Sequence, residues 1–284
     1  MNIFTYGLSG NKEQVTYESF TFHGGEEHIR FNPNDFKNII KVEIFERLTS
    51  SSRLIRLMMT VDALNRLLNE AVKIELISPY FPYARQDRVC VNGEALSVSV
   101  VAKLINSLNF SKVTIWDAHS DVSLALLDRV VNITQVALLK NCKEISQKLS
   151  EGELILVSPD AGATKKTIKI AESFDGIPQV IQAQKLRDLK TGKIIMTEVS
   201  GNVEGKRILI VDDICDGGRT FIELAKELKI KGAIEVSLFI THGIFSKGLK
   251  IFDGLIDNIY TTNSFRSTNE YFSKSAVNLK IIEM

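Results

Sequence analysis

A chain of 284 residues that is 44% hydrophobic is long enough for two domains with cores of their own, and no apolar run approaches the roughly 18 residues that a membrane-crossing helix needs. A net charge of +1 gives no whole-protein attraction to nucleic acid, so any anion site must be local. Cys90, Cys142 and Cys215 lie far apart without metal-ligand spacing, and the amino-terminal MNIFTYG has neither a basic segment nor a long apolar one, so a cytoplasmic protein with reduced thiols and no signal peptide is expected.

Met1–Tyr6 reads as a first strand, and Phe20, Phe22, Glu26, His28 and Arg30 surround a Gly24-Gly25 turn between two further strands. From Arg53 to Glu70, apolar residues at Leu54, Leu57, Met58, Val61, Leu64 and Leu68 give an amphipathic helix. Lys73–Ile77 is a short strand followed by SPYFPYARQDR. Gly93 breaks the chain, Leu96–Leu108 is helical, and Lys112–Trp116 is a strand ending in Asp117-Ala118-His119-Ser120. The pattern then restarts. Cys142–Leu149 is a helix, Leu154–Val157 a strand ending in SPDAGATKK, Lys165–Ser173 a helix, and Gln179–Ala183 a strand. A polar stretch from Gln184 to Gly205 precedes the strand Ile208–Val211 and the helix Phe221–Leu228, and Glu235–Thr241 is a further strand. Alternating strands and helices imply parallel, doubly wound sheets. The restart places a boundary near Ala137, giving domains 1–137 and 138–284.

Four strand ends carry candidate chemistry, where open α/β sheets bind ligands. Arg85-Gln86-Asp87-Arg88 follows the aromatic Tyr80-Phe81-Pro82-Tyr83; guanidinium forks suit phosphates, and the aromatic residues either stack a base or form a corner of the core. Asp117 and His119 either hold a divalent ion or phosphate oxygen, or are structural. The small-residue loop from Ser158 to Lys166 either cradles a pyrophosphate, with Asp160 near a metal, or simply caps a helix. The last, ILIVDDICDGGRT, places Asp212, Asp213, Asp216, Gly217, Gly218, Arg219 and Thr220 between a buried strand and a helix N-terminus. Adjacent acids accept hydrogen bonds from sugar hydroxyls, and a glycine loop with a positive helix end suits a phosphate; the alternative is an ordinary strand–turn–helix with a solvated acidic turn.

That last stretch resembles the ribose-phosphate fingerprint of the phosphoribosyltransferase fold, with Gly217 where a Thr is usual and Arg219 where a Gly is usual. Together with MMTVDAL (Met58 to Leu64), SPYFPYARQDR, DAHS, VSPDAGATKK, THGIFS (Thr241 to Ser246) and TTNS (Thr261 to Ser264), the chain resembles the ribose-phosphate pyrophosphokinases over nearly its whole length. The resemblance implies an α/β fold of two phosphoribosyltransferase-like domains, each a mostly parallel sheet flanked by helices. Residues 1–137 would form the ATP side and residues 138–284 the ribose-5-phosphate side. It implies transfer of pyrophosphate from ATP to O1 of ribose 5-phosphate, Mg²⁺ as cofactor, and self-association as a dimer or hexamer.

The resemblance also assigns residues. Phe22, Glu26, Arg85, Gln86, Asp87 and Arg88 fall to ATP, the first two from a neighbouring subunit; Gly24 stands where the family has an acid. His119 falls to ATP phosphate and metal, and Asp160 to metal. Asp212, Asp213, Asp216, Gly217, Gly218, Arg219 and Thr220 fall to ribose 5-phosphate. Lys185 and Arg187 have the spacing of a catalytic cation pair, with a solvated basic hairpin as the alternative. Val89–Ala95 keeps only Glu94 of the family's Ser-Arg-Glu-Pro loop, where phosphate activates and ADP inhibits, so activity without added phosphate and no allosteric inhibition by ADP are expected. Two other activities remain open on the sequence: an ordinary phosphoribosyltransferase, and a non-catalytic paralogue that joins a true synthetase.

Overall fold

The computed structural model describes residues 1–187, 194–270 and 275–283, with side chains except at 185–187 and 194–197. The chain forms two compact units, Met1–Ile133 and Thr134–Met284.

In the first unit, β1 (Asn2–Gly7), β2 (Lys12–Val15), β5 (Ile39–Phe45), β6 (Lys73–Ile77), β7 (Lys112–Trp116) and β8 (Val130–Ile133) form one sheet in the order β2-β1-β5-β6-β7-β8. The β1 pairings are antiparallel and those from β5 to β8 parallel. A separate antiparallel hairpin, β3 (Tyr17–Thr21) with β4 (Glu27–Phe31), carries the Gly24-Gly25 turn.

Helix α1 (Ser51–Leu67) begins where the Ser50 hydroxyl accepts from Arg53 N. It buries Leu54, Leu57, Val61 and Leu64. Its surface pair Asp62–Arg66 is 61% and 77% exposed, so solvent screens its attraction. Truncating a residue such as the fully buried Leu57 costs about 2–5 kcal/mol. Apolar burial, not the ion pair, therefore holds the helix. Helix α2 (Ser97–Asn106) packs Val98, Val101, Ala102 and Ile105 into the same core, and α3 (Asp121–Leu126) links β7 to β8.

The second unit opens with α4 (Gln135–Asn141) and α5 (Lys143–Ser150). Its sheet has β9 (Leu154–Ser158), β10 (Val180–Arg187), β11 (Ile194–Val199), β12 (Arg207–Cys215), β13 (Glu235–Gly243), β14 (Asn258–Thr262) and β15 (Asn278–Ile282), in the order β11-β10-β9-β12-β13-β14-β15. Only the β10–β11 pairing among these is antiparallel. The central strands are buried on both faces, as parallel strands between helix layers must be. Helices α6 (Ala161–Glu172) and α7 (Arg219–Ile230) cross between them.

Two expectations change. Asp212 and Asp213 belong to β12 itself rather than to a turn after it, because pairing with β13 continues to Cys215. Helix α6 begins at Ala161, four residues before the expected start, because Asp160 caps it. The polar stretch after Ala183 contributes the end of β10 and all of β11.

Glu144 ties α5 to two strands near the sheet edge. Its carboxylate accepts from Lys280 of β15, from Tyr260 of β14 at 2.9 Å and from Lys148 at 3.1 Å. The Lys280 ammonium, with Lys148 and the Tyr260 hydroxyl, holds the carboxyl down to about 2. A depressed folded value means that the stabilisation is complete above the ordinary carboxylate range and lost as pH falls toward 2. Glu144→Gln is expected to lower Tm at pH 7, with the gap between variant and parent closing as pH drops from about 4.5 toward 2. Calorimetric scans across that range check it; a gap independent of pH would refute the linkage.

Candidate active site

In the first unit the end of β6 leads into Ser78, whose hydroxyl bonds the Tyr80 carbonyl at 3.1 Å. Tyr80 and Phe81 are buried, and Phe81 belongs to the core cluster. They are therefore the aromatic corner of the core rather than a stacking surface. Tyr83 adopts a left-handed backbone with φ 60, and its hydroxyl meets Ser51 at 2.9 Å. Beyond this bend Arg85, Gln86, Asp87 and Arg88 line a cavity of about 550 Å³. Gln86 is held by α2, since the Ser97 hydroxyl donates to its side-chain oxygen at 2.6 Å.

His119 lines the same cavity. Asp117, two residues earlier, is 1% exposed with φ 44; its N–H donates to the Ile133 carbonyl at 2.7 Å. A left-handed non-glycine residue is costly and needs surrounding structure to hold it. The bend sends Asp117 into the protein and His119 into the cavity. Cys90 and Glu94 also line it. One Glu94 carboxylate oxygen accepts from the backbone N–H groups of Cys90 at 2.9 Å and Val91 at 3.1 Å.

Phe22 and Glu26 are not among the residues lining this cavity. They sit at the tip of the β3–β4 hairpin, where Phe22 is 48% exposed and packs edge-on against Phe20 with centroids 4.8 Å apart.

In the second unit two strand ends carry acids. Asp160 follows β9 and caps α6, its Oδ1 accepting from Ala163 N at 3.1 Å, while its carbonyl accepts from the hydroxyls of Ser158 and Thr164. The loop expected to cradle an anion is thus largely the first turns of a capped helix. Asp212 and Asp213 stand at the end of β12, and the Asp212 carboxylate accepts from Asp213 N at 2.9 Å. Burial pushes the Asp212 carboxyl well above the usual carboxylate range, and the charges of Asp213 and Asp160 push the same way. Acids so placed gain from hydroxyl donors or a cation.

Asp216 and Gly217 follow, then Gly218 as the N-cap of α7 with φ 73. A Cβ at Gly218 would lie 2.6 Å from the Phe252 ring and 2.9 Å from Ile251, whereas one at Gly217 would meet nothing within 4 Å. Nothing steric therefore demands a glycine at 217. No side chain caps α7 among the described residues, which leaves its first N–H groups and the positive end of its dipole for an anion beside Arg219 and Thr220. Lys185 and Arg187 belong to β10 by backbone, with side chains outside those described; Lys193 lies outside the described residues.

The phosphoribosyl transferase domain model matches residues 130–253, the span that holds β12, the glycine turn and the start of α7. The model of the N-terminal domain of ribose phosphate pyrophosphokinase matches residues 15–108. A ribose-phosphate pyrophosphokinase of Mycoplasma pneumoniae is 33% identical over 264 residues, 89% of this chain and 77% of that one. One of Maricaulis maris is 32% identical over 232 residues, 80% and 71% of the two chains. The crystal structure of phosphoribosylpyrophosphate synthetase from Mycobacterium smegmatis superposes with a TM-score of 0.78 over 95% of this chain and 86% of that one, at 24% identity, and so shares the fold. The chain belongs to the ribose-phosphate pyrophosphokinase family.

Gly218→Ala is expected to destabilise the second unit, with about 1–2 kcal/mol for left-handed strain added to about 1–3 kcal/mol of overpacking against Phe252. Gly217→Ala should change stability by less than about 0.5 kcal/mol. Urea unfolding of both variants checks the contrast, and equal losses would refute it.

Proposed function

We propose that this chain moves the β,γ-pyrophosphoryl group of ATP to O1 of ribose 5-phosphate, giving phosphoribosyl pyrophosphate and AMP. The observation that carries the reading is the acid pair of β12 next to an uncapped α7. Asp212 and Asp213 accept from the sugar hydroxyls, and the α7 N–H groups with Thr220 and Arg219 hold the 5-phosphate. Asp216 completes the turn.

The first unit, residues 1–133, takes ATP, and the second, residues 134–284, takes ribose 5-phosphate. A cavity of about 550 Å³ that collects Arg85, Gln86, Asp87, Arg88 and His119 is of ligand size and presents two guanidinium forks to phosphates. Phe22 and Glu26, exposed on their hairpin, serve the adenine of a neighbouring copy in a dimer or hexamer. No membrane or nucleic acid is a partner, and the protein works in the cytoplasm; among the described residues no helix is long and apolar enough to cross a membrane.

Among the described residues no group of three or more His, Cys, Asp or Glu is arranged to hold a metal. Magnesium does not require one, since it takes one or two carboxylates together with substrate phosphates and waters. The carboxylate oxygens that burial and like charge burden at Asp212, with Asp160 felt there, are hard donors of that kind. We assign Mg²⁺ to Asp160 in the second unit and to His119 in the first. Bound Mg²⁺ would neutralise charge on the transferred phosphates. Lys185 and Arg187 stabilise the same charge from the protein.

AMP release from ATP is the test: it should need ribose 5-phosphate and Mg²⁺ and stop on chelation. Protein that releases no AMP with both substrates and Mg²⁺ present would overturn the reading. Asp212→Asn or Asp213→Asn should raise KM for ribose 5-phosphate well above any change in KM for ATP; equal effects would count against the sugar site. Lys185→Ala and Arg187→Ala should each cut kcat by about 10²–10³ while leaving both KM values within a few-fold, and Lys193→Ala should matter much less. Near-normal kcat in both would remove the pair from the catalytic machinery.

A further inference from the structure

Gln135 opens α4, and its side chain is 2% exposed. The amide nitrogen donates to the Asp212 carbonyl at 2.7 Å and to the Thr241 hydroxyl at 3.2 Å. A carbonyl can only accept, so the first bond fixes which end of the amide is nitrogen. The amide oxygen has no hydrogen-bond partner among the described residues.

The Asp212 carbonyl and the Asp213 N–H are the two polar ends of one planar peptide unit. Gln135 holds the first end, and the Asp212 carboxylate holds the second at 2.9 Å. That plane lies between the two acids, so its tilt sets the directions in which both carboxylates leave the strand. Sheet pairing reaches this plane from the β13 side only. The β9 ladder ends at Ile210–Val157, while pairing with β13 runs on to Cys215.

The far anchor is built as well. The Thr241 carbonyl accepts from the hydroxyls of Thr262 and Ser264, each at 2.7 Å, and Ser264 Oγ meets His242 Nδ1 at 2.8 Å. The THGIFS and TTNS segments, which carry no substrate role above, are thereby joined to the acid pair through one amide.

We propose that Gln135 is a positioning residue for the ribose-5-phosphate site: its amide fixes the Asp212–Asp213 peptide and, through it, the spread of the two carboxylates. The proposal rests on the function proposed above. Gln135→Met keeps the side-chain length and removes the donor. KM for ribose 5-phosphate, and its Kd by calorimetry, should rise at least about tenfold, the scale of one hydrogen bond, with KM for ATP within about twofold. Thr241→Val leaves Gln135 in place, removes its second anchor, and should raise the same KM about threefold. A lowered Tm with ribose-5-phosphate KM unchanged, or equal rises for both substrates, would mean a merely structural residue and overturn the proposal. If the Met variant does not fold, the Val variant decides by the same criterion. Parent protein that binds ribose 5-phosphate without releasing AMP removes the reaction and leaves this clamp to be judged on Kd. Parent protein that binds no ribose 5-phosphate overturns both.

Discussion

Two neighbouring carboxylates at the end of a buried strand are the constraint on which the second unit depends. Adjacent like charges out of water are costly, and the raised proton affinity of Asp212 is the sign of that cost. The backbone must hold such groups in place with hydrogen bonds, because a carboxylate pair left to relax would turn toward solvent. Asp213 N–H, Gln135 and the continued pairing with β13 do this. Hydroxyl donors or a cation placed beside them would gain from charges that the protein holds at a cost.

The two crossover helices of that unit present contrasting N-termini. Helix α6 receives the Asp160 carboxylate at its first turn, so its own chain satisfies the dipole. Helix α7 starts from a left-handed glycine pressed against Phe252 and has no side-chain cap. One geometry spends its N–H groups on a side chain; the other has no side-chain cap. The difference lies in a single residue, an acid at one N-cap and a glycine at the other.

The first unit separates a contiguous motif by backbone conformation. Left-handed bends at Tyr83 and Asp117 leave Tyr80, Phe81 and Asp117 inside while delivering Arg85, Arg88 and His119 to one cavity. Aromatic burial therefore makes the rigid base from which the cations project. The rim beside them is braced by Glu94 on two backbone N–H groups.

The sequence by itself determined whatever depends on local periodicity. Lys73–Ile77 and Lys112–Trp116 are β6 and β7 residue for residue, and the spacing from Leu54 to Leu64 is the buried face of α1. The strand–acid–glycine–helix order of β12 and α7 was equally visible, because aliphatic runs and glycines act within a few residues of themselves. Tertiary structure decided the rest. The extent of β12 through its acids depends on β13 lying beside it, and the early start of α6 on a side chain folding back onto backbone. β5, β14 and β15 took no reading in the sequence, and their place was settled by the strands they pair with. Arg85 and His119 are 34 positions apart and meet only because β6 and β7 are neighbours. Nothing in the local sequence distinguishes Gln135, since a glutamine at a helix start is ordinary. Its place against the Asp212 carbonyl, 77 residues away, exists only once the sheet and α4 have packed, because hydrogen bonds between distant residues follow from topology and not from neighbouring side chains.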